Sequence, residues 1–387
     1  MKNKMKNLFF TIISVVTMIS CGDGFDLSNV ERDSIVINPD YITPNITAEE
    51  CVVDKIISLS LPSKFTTLSC DKIVYVNNRI YILDKMHCKS ILVFDEKGNY
   101  LHHLGERGRA KNEYIDSPCN FSVDEYNGDV YVYDMSLNRI MLFDKDGKFV
   151  GDDKMSKSFP EDFSLAKDGN YIFSYSNNEN GEGNLLSVAG LSGEILKPLL
   201  KRKEMIDNSV MSLSGINFAQ NSSVYLPEFS DSVFVVVNDS LKRIVRLDFM
   251  GKYISEKDLE KAKESTGYAG IYAHDGVQFV ERYEETNSLI NVIYCNKKYQ
   301  RNYIRNKTNN KFYNLSANPF TGMFSYNHYD IIDNHLVYFV NEENIILLNQ
   351  GRDDPYWKGY YQNSLPEVQE IIDEKVKAPL LMFVRLK

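Results

Sequence analysis

Histidine is the side chain best suited to moving protons or holding a metal at neutral pH, and this chain of 387 residues has six, at positions 87, 102, 103, 274, 328 and 335. His274 stands close to Tyr272 and Asp275, and His328 close to Tyr326 and Tyr329. Imidazole with tyrosine and carboxylate is the equipment of a lyase, a hydrolase or a metal-assisted site. No motif surrounds any of the six, so separate turn and surface residues are the reading that fits them better, and no catalytic residue is assigned. The cysteines form no Cys-x-x-Cys pair and no Cys/His cluster at zinc spacing, so no metal and no other cofactor is expected. Asp84, Asp95, Asp134 and Asp144 recur, but calcium loops need several oxygen ligands at close spacing. Here single carboxylates end strands, and capping of turns explains them. Gly105-Glu106-Arg107-Gly108 lacks the full glycine fingerprint of a phosphate loop, although Arg107, Arg109 and Lys111 offer an anionic ligand a basic rim. The candidate ligand contacts are therefore Arg107, Arg109, Tyr114, Tyr272, His274 and His328.

Residues so far apart can converge only on a scaffold that gathers many loops, and the chain has the repeat of one. Ile80–Asp84 followed by Ile91–Gly98 returns as Val130–Asp134 followed by Ile140–Gly147. A period of about fifty residues, built of apolar strands ending in Asp and a Gly turn, is the mark of a β-propeller blade. Eroded units follow at 163–196, 224–247, 277–313 and 329–348, which makes six. Polar Ser255–Ser265 reads as a short surface helix, and Val368, Ile371, Ile372 and Val376 after Pro366 read as an amphipathic one. The apolar C-terminal run Leu380–Leu386 can pair with the early strand near Lys55–Leu59, so that the two ends of the chain close the ring and leave no open edge. The expected fold is all-β: a six-bladed propeller over residues 51–387, with short helical insertions, preceded by a tether and lead-in at 22–50.

Residues 1–21 read as a signal peptide. Lys2, Lys4 and Lys6 precede an apolar stretch from Leu8 to Ile19, shorter than the roughly 20 residues a membrane span needs. Met18-Ile19-Ser20-Cys21-Gly22 resembles the bacterial lipobox, which implies lipidation at Cys21. Five cysteines remain in an oxidising compartment, and they read as small buried hydrophobes within strands. A net charge of −9 argues against a nucleic-acid partner. The 25 tyrosines against a single tryptophan suit half-exposed strands and also stacking against sugars.

The lipobox, the paired Tyr-x-x-Asp and Phe-Asp-x-x-Gly strands and the ending Ala378–Lys387 together resemble the six-bladed propeller lipoproteins of Bacteroidota, which are related in architecture to NHL-repeat and TolB-like propellers. Leu104–Tyr114 is similar to the glycine-rich loop between blades in that family. Glu113 and Tyr114 are kept, while Ala110, Lys111 and Asn112 depart from the pattern. Asp23 and Asp26 behind the cysteine resemble surface-export signals of some of these lipoproteins. The resemblance implies a cell-envelope protein anchored to the outer membrane by its lipid, on the periplasmic or the outer side. Its propeller would act as a non-catalytic module that binds a protein partner or a glycan. The alternative is a propeller-fold hydrolase or lyase acting on a carbohydrate or another envelope substrate.

Overall fold

The computed structural model describes residues 29–43, 46–166, 168–175, 182–201, 216–219, 222–227, 229–265, 270–271, 273–315, 329–346, 365–373 and 379–387. Two lead-in strands, β1 (Glu31–Val36) and β2 (Cys51–Ser58), precede the blades. Blade 1 is β3 (Lys72–Val76), β4 (Arg79–Asp84), β5 (Ser90–Asp95) and β6 (Tyr100–Leu104), and a two-residue parallel pair, β7 (Glu106–Arg107) with β8 (Glu113–Tyr114), links it to the next. Blade 2 is β9 (Asn120–Val123), β10 (Val130–Asp134), β11 (Arg139–Phe143) and β12 (Phe149–Lys154). Blade 3 is β13 (Asp162–Leu165), β14 (Tyr171–Ser174), β15 (Asn184–Ala189) and β16 (Ile195–Lys201). Blade 4 is β17 (Ile216–Ala219), β18 (Ser222–Tyr225), β19 (Ser232–Val237) and β20 (Ser240–Asp248), followed by helix α1 (Glu256–Ser265). Blade 5 is β21 (Val277–Glu285), β22 (Leu289–Asn296), β23 (Tyr299–Asn306) and β24 (Phe312–Leu315). Blade 6 takes β25 (Tyr329–Ile332), β26 (His335–Val340) and, after helix α2 (Pro366–Asp373), β27 (Leu380–Leu386) from the C-terminal end, and its outer strand is β2.

The ring closes as the apolar C-terminal run implied, with Cys51 opposite Leu386 and Ser58 opposite Leu380 in antiparallel register. Six apolar clusters lie between successive sheets, one at each seam from blades 1 and 2 round to blades 6 and 1. Apolar side chains alternate to the two faces of each strand, so every sheet buries both faces against its neighbours. The axis is left to the first strand of each blade and to polar side chains.

The aspartates that mark the repeat cap its turns. Asp95 Oδ1 accepts from the backbone N–H groups of Lys97 and Asn99, and Asp144 Oδ1 accepts from those of Asp146 and Lys148. Buried Asp84 accepts from the N–H and hydroxyl of Ser69 and from the N–H groups of Met86 and His87. Burial pushes its carboxyl up, but these hydrogen bonds outweigh burial and hold it below the usual carboxylate range. Gly98 and Gly147, the turn glycines of the repeat, have φ of +85° and +82°, and a Cβ there would meet Ser58 O and the ring of His102 respectively.

Two expectations change. The lead-in is more than a tether: β1 adds to blade 4 as a fifth strand, parallel to β20 from Glu31 opposite Arg243 to Val36 opposite Asp248. Ile35 and Ile37 anchor it in the seam between blades 4 and 5, and the Asn314 side-chain amide then ties the Asn38 and Tyr41 carbonyls to blade 5. The stretch Ile345–Leu348, expected as a strand, lies partly in a helical turn over 342–346, and its residues 347–348 fall outside the described ones. The third strand of blade 6 is β27 instead. The two expected helices form as α1 and α2, with Val376 outside the described residues. All five cysteines described are free thiols.

Candidate functional site

The inner strands wall a cavity of about 920 Å³ on the propeller axis. Its polar lining comes from corresponding places in several blades. Lys72, Asn120 and Asp162 open β3, β9 and β13, Arg282 and Glu284 lie in β21, and Asp330 lies in β25. Lys72 Nζ donates to Asn120 Oδ1 at 2.7 Å and to the Phe121 carbonyl at 2.8 Å, joining blade 1 to blade 2. The Asn120 amide in turn donates to Asp162 Oδ1, joining blade 2 to blade 3. Burial pushes the Lys72 ammonium down to about 7, against the pull of Asp162 and Asp330.

Blades 5 and 6 meet through carboxyl groups. A bulge between Val280 and Arg282 re-aims β21. Arg282 and Glu284, two residues apart, then share one face of the strand. Glu284, only 7% exposed, accepts at Oε2 from the Asn291 amide at 2.6 Å, and its Oε1 lies 3.5 Å from Arg282 Nη1. It also shares a hydrogen bond with Asp330. Two carboxyl groups can make that bond only when one of them is protonated. Burial, with Asp330 next, pushes Glu284 up to about 8, and burial raises Asp330 as well. Tyr75 and Tyr126 bring aromatic rings to the same cavity, Tyr126 being 87% exposed.

The residues singled out from sequence fall elsewhere. Arg107 and Arg109 are exposed on the loop between blades 1 and 2 and do not line the cavity. Tyr114, on the same loop, is a correction: its ring is fully buried in the seam between those blades and its hydroxyl donates to the Leu104 carbonyl at 2.5 Å. It is a pillar of the fold, out of a ligand's reach. Tyr114→Phe is expected to lower the unfolding free energy by only about 1 kcal/mol in denaturant titration, since Ser90 Oγ still donates to the same carbonyl, and to leave ligand affinity unchanged. His274 is half-buried beyond α1 and away from the cavity. Tyr272 and His328 lie outside the described residues, as does Cys21. No described histidine lines the cavity. His103 is held by Lys64, Glu106 and Tyr100, and His335 by Asp54. Among the described residues no group of three or more His, Cys, Asp or Glu is placed to hold a metal ion.

The residues that do line the axis were missed because a polar residue at the start of a strand resembles the end of a turn. A signal exists once the blades are superposed: Lys72, Asn120, Asp162 and Asp330 each stand directly before an apolar inner-strand residue, Ile73, Phe121, Phe163 and Ile331.

This ring of six sheets can be set against known proteins. Residues 66–383 match the sequence family described as the domain of unknown function DUF4934. The chain belongs to the DUF4934 family. No curated protein matches the sequence. Among solved structures, a Bacteroides fragilis protein described as exported is 17% identical, with a TM-score of 0.76 over 92% of this chain and 99% of its own. A DUF4221 family member from Bacteroides vulgatus is 11% identical, with a TM-score of 0.53 over 87% of this chain and 99% of its own. At such identities the likeness is one of fold, and both share the propeller with this DUF4934 chain. Among its described residues no helix is long and apolar enough to cross a membrane.

Proposed function

We propose that this DUF4934 protein is a cell-envelope lipoprotein, anchored in the outer membrane through Cys21, whose propeller is a non-catalytic module that binds a glycan in its axial cavity. The observation that carries the reading is the cavity lining. Exposed Tyr126 and half-buried Tyr75 supply ring faces for sugar C–H surfaces, and Lys72, Asn120, Asp162 and Asp330 supply donors and acceptors for hydroxyl groups. The exported Bacteroides fragilis relative in fold supports an envelope setting. A protein partner on the loop faces is the other form of the same module.

The reading as a hydrolase or lyase draws on the Glu284–Asp330 pair. Glycosidase carboxyl groups, however, stand about 5 Å or more apart so as to flank the scissile bond, whereas these two share a hydrogen bond, which favours the binding reading.

The test is titration of the purified protein with a panel of envelope and dietary oligosaccharides, alongside affinity capture from native envelopes with Cys21→Ser as the mislocalised control. Binding of a saccharide that weakens about tenfold in Tyr126→Ala supports the reading. Turnover of any saccharide overturns the non-catalytic part. A reproducible protein partner without saccharide binding moves the module to protein recognition, and a Cys21→Ser protein that remains in the membrane fraction removes the anchor.

A further inference from the structure

We propose that the axial cavity takes a ligand bearing a free primary amine, and that the ammonium enters by displacing the proton shared between Glu284 and Asp330. The inference rests on the reading of the cavity as a ligand site and names the chemistry of what fills it.

Behind it stand two carboxyl groups from different blades, Glu284 of β21 and Asp330 of β25, which line one open cavity and share a hydrogen bond. That bond holds one proton, so the pair carries a single negative charge. Arg282 from β21 pairs with Glu284 at 3.5 Å, and the charges of Lys72 from β3 and Asp162 from β13 act across the same lining, Lys72 on Asp330 and Asp162 on Lys72. The Asn291 amide from β22 occupies Glu284 Oε2. The side chains of β17 lie outside the described residues. The lining as a whole holds eight carboxyl side chains against three cationic ones, which disfavours a polyanion.

An arriving ammonium brings three donors and one positive charge. When the shared proton leaves to solvent, the ammonium takes its place between two carboxylates, and the charge of the site is unchanged by the exchange. A neutral hydroxyl has no such effect, because it leaves the proton where it is. The buried pair therefore discriminates an amino sugar from its N-acetylated form, which has the same ring and hydroxyl groups but neither the charge nor the three donors.

Isothermal titration calorimetry of the full chain, with a β-1,4-linked glucosamine trimer and its N-acetylated counterpart as probes, tests this in two buffers of different ionisation heat at pH 6. The expected result is binding of the amine form with release of about one proton per ligand, and at least about tenfold weaker binding of the acetylated form with no release. Between pH 6 and pH 5, where the amines of the probe are already ammonium groups, the affinity for the amine form falls about tenfold per pH unit, because the pair must be deprotonated for each binding event. Glu284→Gln, checked for folding by thermal unfolding, is expected to lose both the proton release and the preference. Equal binding of the two trimers without proton release overturns the amine assignment and leaves the glycan reading standing. No binding of either trimer, or of any saccharide in the panel, overturns both.

Discussion

Arg139→Met is expected to lower the unfolding free energy by about 3–5 kcal/mol. Arg139 is 5% exposed and opens β11, the third strand of blade 2. Its guanidinium donates to the Lys111 carbonyl at 2.9 Å and to the Glu113 carbonyl at 2.6 Å, and lies 3.6 Å from Asp134 and 3.4 Å from Asp152. It thus fixes the linker between blades 1 and 2 and compensates the fully buried Asp134 carboxylate at once. Methionine fills much of the volume but leaves Asp134 with a single backbone donor, Leu137 N–H at 3.3 Å. An unpaired charge in that position costs far more than the pair is worth relative to an apolar replacement. The double variant Arg139→Met with Asp134→Asn separates the two effects: it is expected to recover at least half of the loss in urea titration, because the stranded charge is gone. A loss below about 1 kcal/mol for the single variant would place Asp134 in contact with solvent and remove the argument.

Asp134 and its counterpart Asp84 also mark how far the sequence could be read. Their blades were legible because the repeat prints strand, Asp and Gly turn in the same order twice, and its turn carboxylates Asp95 and Asp144 act locally, on N–H groups two to four residues on. Ring closure was legible for a similar reason, since Leu380–Leu386 is apolar enough to demand a partner and β2 was free to provide one. What lies beyond a repeat was harder to see. The β1 sequence Glu31-Arg32-Asp33-Ser34-Ile35-Val36 shows one buried side chain, Ile35, and reads as a polar linker; its pairing with β20 is parallel and spans more than two hundred residues. Tyr114 looks like a ligand-facing aromatic in a charged loop, yet the neighbouring blades enclose it.

The axial residues are hidden by the same rule that reveals the blades. In Val277–Glu285 the alternation of Arg282 and Glu284 with Tyr283 suggests a strand with one wet face. The face is instead turned to a cavity where Glu284 is nearly out of water and next to another acid. Nothing local distinguishes the two cases, because the second carboxyl arrives from Asp330, nearly fifty residues later, in the next blade. The histidines mislead in the opposite sense: His103 and His335 are chemically apt, but Lys64, Glu106 and Asp54 satisfy them, and neither lines the cavity.

Glu284→Gln is expected to stabilise the protein, and the gain is expected to grow with pH. The folded carboxyl is raised to about 8 from an ordinary value of 4.5, so between those two pH values the folded state keeps a proton that the unfolded chain has released. The unfolded state binds fewer protons there, and stability falls as pH rises through the window. Asp330 is raised in the same direction, but the two acids share one proton and the effect is counted once. Its full size is on the order of a few kcal/mol. Lys72 acts with the opposite sign: its ammonium is lowered to about 7 from 10.5, so its cost is present below pH 7 and is relieved as pH rises towards 10.5. The pH profile of the parent protein mixes both, whereas the difference between parent and variant isolates the acid, since Lys72 is common to the two. Glutamine keeps the hydrogen bonds, accepting from Asn291 and donating to Asp330, and cannot ionise. Thermal unfolding at pH 5, 6.5 and 8 should therefore give midpoints close together at pH 5 and a higher midpoint for the variant at pH 8. A variant less stable than the parent at pH 8 would mean that the carboxylate form is what the fold requires, with Arg282 as its partner. The expected order has a functional side. If the neutral amide makes the better scaffold, the acid pair is a cost the fold does not need, and such costs collect where a protein meets a ligand. The amide gives up the one thing the pair can do that an amide cannot, which is to release a proton in exchange for a bound cation.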